Sequence, residues 1–159
     1  MQLGASFKLG PFTVDSAGGL SPCDPAMAPA FLFRWHDRIV RAQMDKADNA
    51  TGRLILQVTL ARVRSSASTP DEMLRPRSFA LLRWLERSTP PSWHVALLAD
   101  HHVWLETTTR IELPITAAGL ITEITRFALD LAPYLELMDE MGLTLPAAGI
   151  GKSASGRLE

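Results

Sequence analysis

The chain has 159 residues and a mass of 17.5 kDa, 47% hydrophobic and 21% charged, which is enough for one core and too apolar for a disordered chain. Its 16 basic and 17 acidic residues leave a formal net charge of −1, which excludes a global field drawing it to nucleic acid or to an anionic membrane. The single cysteine, Cys23, excludes an intramolecular disulfide and a cysteine-pair zinc site, and it fits a reducing cytoplasm.

The opening "MQLGASFKLGPF" contains no continuous apolar stretch of a secretory signal, and no run approaches a spanning helix, so a cytoplasmic location without membrane contact is expected. Residues 7–14, "FKLGPFTV", alternate loosely as a strand. The following "DSAGGLSPCDPAMAPA" is so rich in Gly, Pro and small residues that only a short strand around Leu20 fits in it. Residues 1–30 are therefore read as strand and irregular cover.

In "AFLFRWHDRIVRAQMD", Phe31, Phe33 and Trp35 share one parity and Val40, Ala42 and Met44 share another, with His36-Asp37 between them. That pattern predicts two strands about a tight turn. "ADNATG" is a turn cluster, and "RLILQVTLARV" is a strand with Leu54, Leu56, Val58 and Leu60 on one side. After the polar linker "RSSASTPDEMLRP", Phe79, Leu82 and Leu85 recur at helical spacing and predict a short helix over 77–87, stopped by Pro90 and Pro91.

"WHVALLADHHVWLETTTRIEL" then reads as a second hairpin turning at residues 99–102. Thr116 is placed to cap a long amphipathic helix carrying Leu120, Ile124, Phe127, Leu131, Leu135 and Met138, with Gly142 as the stop and a kink expected near Leu129 from Pro133. The order predicts an α+β protein: an antiparallel sheet of about five or six strands with a short helix and a long C-terminal helix packed on it. The expected single domain spans 31–142, followed by a disordered tail over 143–159.

Chemistry-bearing residues are few. His36 and Asp37 stand at one predicted hairpin tip and Asp100, His101 and His102 at the other, so a metal-dependent enzyme or sensor requires the two tips to meet. Adjacent strand residues point to opposite faces, which separates His101 from His102. Arg34, Arg38, Arg41, Arg53, Arg62 and Arg64 stand on predicted strands or at their ends, where they offer an anion-binding face or the solvated side of a sheet. "AAGIGKSAS" lacks the glycine spacing of a phosphate loop and belongs to the tail, and no serine sits in a nucleophile elbow. No catalytic, cofactor-binding or metal residues are assigned. The surplus of tryptophan instead leaves two readings: all four belong to the core, or Trp35, Trp84 and Trp104, with Phe33 beside them, serve contact with a partner protein.

From residue 53 to 142 the chain runs through the strand "RLILQVTLARV", the helix "SFALLRWLER", the hairpin "WHVALLADHHVWLE", the step "TTTRIELPIT" and the closing helix "AAGLITEITRFALDLAPYLELMDEM". This order resembles the bacterial type III secretion chaperone family, with its Tir chaperone-like fold. The front of the chain departs from that family, where an opening helix is expected. The resemblance implies a small cytoplasmic homodimer without enzymatic activity or cofactor, which binds an extended segment of a partner protein over apolar patches and added strand edges.

Overall fold

The computed structural model describes residues 6–63 and 74–143. Over them the chain forms an α+β fold with two antiparallel sheets and two helices. Three short strands, β1 (Phe7–Leu9), β2 (Phe12–Val14) and β3 (Leu20–Pro22), make a small sheet in the order β1-β2-β3. The stretch read as one strand over 7–14 is divided by Gly10, whose φ of 57° lets the chain reverse at Gly10-Pro11, so that Phe7 pairs with Val14.

The main sheet has five strands: β4 (Ala30–Trp35), β5 (Arg38–Lys46), β6 (Thr51–Arg62), β7 (Trp93–Leu97) and β8 (His102–Glu112), in the order β4-β5-β6-β8-β7. All neighbours are antiparallel. The hairpins fall where the alternation places them. His36 and Asp37 have φ of 43° and 58°, the positive values that a two-residue primed turn requires, and Trp35 pairs with Arg38 directly across it. The threonine-rich extension of β8 is itself strand: Thr107, Thr108 and Thr109 pair with Leu56, Ile55 and Leu54 of β6.

Alternation assigns the two faces of the main sheet. Val40, Ala42 and Met44 of β5, Leu54, Leu56 and Val58 of β6, and Val103 and Leu105 of β8 are buried on one face, against the helices. A bulge between Thr59 and Ala61 lets consecutive Leu60 and Ala61 both be buried. Helix α1 (Leu74–Ser88) begins three residues before the predicted start and buries Leu81, Leu82 and Leu85. The expectations for residues 64–73 and for 144–159, including "AAGIGKSAS", lie outside the described residues.

Helix α2 (Ala117–Glu140) contributes Leu120, Phe127, Leu131, Leu135 and Met138 to the core. Thr116 caps it, with Oγ1 accepting from the Gly119 amide at 3.0 Å. At the other end Gly142, with φ of 72°, donates to the Asp139 carbonyl and Leu143 donates to the Met138 carbonyl, the bond pair of a Schellman stop. Pro133 lies inside α2 on its exposed side. The small sheet joins the same core through Phe12, Val14 and Leu20, and is tied to the start of α2 by Leu20 N to Ile115 O at 2.9 Å and Ala117 N to Gly18 O at 2.9 Å. Among the described residues no helix is long and apolar enough to cross a membrane.

Candidate protein-interaction surface

Strand β4 ends the main sheet, and its outer edge has no strand partner among the described residues. On the helix side it carries Phe31, Phe33 and Trp35, which pack against the core but stay only half-buried, as expected for a row with no neighbouring strand beyond it. The Phe31 ring meets Phe12 edge-on at 6.1 Å and tilts toward Phe33 at 6.5 Å, so the small sheet and β4 share one aromatic row. Most of β4 lacks the charges and prolines with which exposed edges are usually blunted, and Arg34 is its only charged residue.

Phe31 also lines a groove of about 200 Å³ running between the small sheet and α2, with Leu9, Phe12, Leu20, Leu120 and Ile124. Ile121, at its rim, is 61% exposed. Gly10, Pro11 and Ala117 complete the lining, so no charged side chain enters it.

The four residues singled out for partner contact do not share one surface. Phe33 and Trp35 lie on the helix side of β4. The Trp35 ring lies tilted against His36 at 5.1 Å, and its Nε1 is buried without a hydrogen-bond partner among the described residues. Trp104 is half-buried on the opposite face of the sheet, between the buried Val103 and Leu105 and paired across to Thr59 and Ala96. Trp84 stands on α1, 44% exposed, with its ring 6.0 Å from Tyr134. The fourth tryptophan, Trp93, is partly buried against the core, with its ring beside Phe127 and Tyr134.

The strand arginines do not form one anion-binding face. Arg38 is buried and fully engaged: Nε donates to Leu60 O at 3.0 Å, Nη1 to His36 O at 2.9 Å and Nη2 to Asp139 Oδ1 at 2.7 Å. The sequence offers no cue to this pair, because Asp139 lies on α2, 101 residues away. On the open face, Arg41 donates to Gln57 at 3.2 Å and Gln57 to Glu106 at 2.6 Å, a polar ladder across β5, β6 and β8. Arg53 faces Asp45 at 3.9 Å, and Arg34 and Arg62 are exposed.

The two hairpin tips do not combine into one metal-holding group among the described residues. His102 Nδ1 donates to Asp100 Oδ2 at 2.8 Å, while His101, with φ of 67°, turns the chain. The hydrogen bond from His102 holds the Asp100 carboxyl below its usual range. Among the described residues no group of three or more His, Cys, Asp or Glu is placed to hold a metal ion, so His36 and Asp37 do not complete a site with Asp100, His101 and His102.

A comparison with protein-family models, with curated proteins and with solved structures returned no match to this chain.

Proposed function

We propose that the chain is a non-enzymatic protein-binding module, similar in role to a secretion chaperone, which takes an extended segment of a partner protein along β4. The observation that carries this reading is the open edge of β4 with its half-buried aromatic row, continued by an apolar groove. An added strand finds free main-chain donors and acceptors on such an edge, and its alternate side chains cover the row. The order of elements over 53–142, strand, helix, hairpin, Leu113-Pro114 step and long helix, also supports the resemblance. The small sheet stands where that family has an opening helix.

The reading includes a homodimer, in the cytoplasm, without nucleic acid or membrane as partner. Light scattering tests the dimer: a strict monomer at all working concentrations counts against it. The binding reading is tested in the native host by co-purification with wild-type chain and with Phe33→Lys plus Ile121→Glu, a half-buried position of the β4 row and an exposed one at the groove rim. One specific partner retained by the wild type and lost by the variant, at unchanged circular dichroism, is the expected result. A partner held equally by both proteins overturns the assignment of β4.

A further inference from the structure

We infer that the exposed face of α1 is a second docking surface, for an acidic segment of the partner protein. This rests on the protein-binding reading and adds the chemistry of what is bound. Leu81, Leu82 and Leu85 turn one side of α1 to the core, and the opposite side carries Arg77, Ala80, Arg83, Trp84 and Arg87, all exposed. Arg77, Ala80, Trp84 and Arg87 follow one another at intervals of three, four and three, which lines them along a single ribbon of the helix, with Arg83 beside it.

Among the described residues no carboxylate lies within ion-pair distance of Arg77, Arg83 or Arg87, although three other arginine–carboxylate pairs are present. Glu86 is the one acidic residue of α1, and Glu140 shares with Arg77 the wall of a cavity at the end of α2. Arg83 and Arg87 sit four apart, where like charges repel, so among the described residues the face carries more positive than negative charge beside an exposed indole. Arg87 in the last turn also opposes the helix dipole favourably, which explains one of the three arginines and leaves the other two.

Charge complementarity selects the occupant. Two copies joined through this face on a two-fold axis would set arginines against arginines, so a homodimer has to use another surface. A polyanion such as nucleic acid requires a wider basic field than a chain of net charge −1 presents. An acidic peptide with an apolar or aromatic residue satisfies both the guanidinium groups and Trp84.

The test uses the full chain and fluorescence anisotropy with a labelled synthetic peptide of alternating glutamate and leucine, its glutamine counterpart, and an oligothymidylate of equal charge. We expect the glutamate peptide to bind, to weaken with added salt, and to lose at least about tenfold in affinity, or ~1.4 kcal/mol, with Arg83→Glu plus Arg87→Glu. Arg110→Glu, an exposed arginine on the other face of the sheet, leaves binding unchanged. Equal binding of the glutamine peptide, tighter binding of the oligothymidylate, no binding at all, or indifference to the α1 charge reversal each overturns the inference. A native partner lost with Ile121→Glu but kept with the arginine reversal overturns the inference alone, whereas a partner indifferent to both overturns the protein-binding reading at β4 as well.

Discussion

Arg38 at the start of β5 and Asp139 near the end of α2 are joined by a 2.7 Å ion pair that fastens the first hairpin tip to the last turns of the long helix. The arginine side is 5% exposed and the aspartate 42%, so the pair is half in water. The two partners are therefore unequal. Arg38→Ala abandons two backbone carbonyls as well as Asp139 and is expected to cost about 3 kcal/mol. Asp139→Ala leaves Arg38 with its Leu60 and His36 bonds and is expected to cost about 1–2 kcal/mol. Urea unfolding of both single variants and the double variant checks the order. The double variant should lose less than the two losses together, because the singles share one interaction.

Core position and surface position on the same helix should separate cleanly. Leu135 is fully buried, and Leu135→Ala is expected to cost about 2–5 kcal/mol through lost burial and the cavity left behind. Leu129, 61% exposed, should change stability by no more than about 0.5 kcal/mol when replaced by Ala. Thermal unfolding of the pair measures the contrast, and equal losses would show that α2 does not pack as described.

Much of this fold was legible because alternation and helical spacing are local signals. The parity change at His36-Asp37, the cap at Thr116 and the stop at Gly142 are each written within a few neighbouring residues, and the structure has the turn, the cap and the stop at those positions. What was not legible depends on distant pieces of chain. Nothing local pairs Arg38 with Asp139, and on the sequence Arg38 looks no different from the exposed strand arginines Arg34 and Arg41. The edge position of β4 follows from the sheet order, which alternation cannot supply, and with it the half-burial of Phe31, Phe33 and Trp35. Trp104 shows the reverse limit: its place between buried Val103 and Leu105 already puts it on the opposite face from Trp35's row, a parity that composition alone concealed.

The first hairpin turn can be improved. Both His36 and Asp37 occupy positive φ, a region that costs most side chains energy and that Asn and Gly enter readily. His36→Asn plus Asp37→Gly is expected to raise stability by about 0.5–1 kcal/mol, since the backbone strain relieved exceeds the extra flexibility of the unfolded chain. The Arg38 bond to the His36 carbonyl is a backbone contact and survives both changes. A loss of stability in chemical denaturation would mean that the side chains of the tip carry contacts that outweigh the turn.

The double histidine of the second hairpin has a testable electrostatic role at Asp100. The side-chain hydrogen bond from His102 is the largest cause lowering the Asp100 carboxyl, followed by the bond from the His102 amide. Carbon-detected NMR titration should therefore find Asp100 below the ordinary aspartate range, and His102→Ala should move it back up toward that range. The sign for stability follows from the lowered folded value. The contribution is present above the ordinary, unfolded carboxylate value and fades as the pH falls through the lowered one. Because Asp100 is exposed at a loop tip, the effect on unfolding should be small even where the titration shift is plain. An Asp100 midpoint unchanged by His102→Ala would remove the side-chain interaction that distinguishes this histidine from an ordinary polar turn residue.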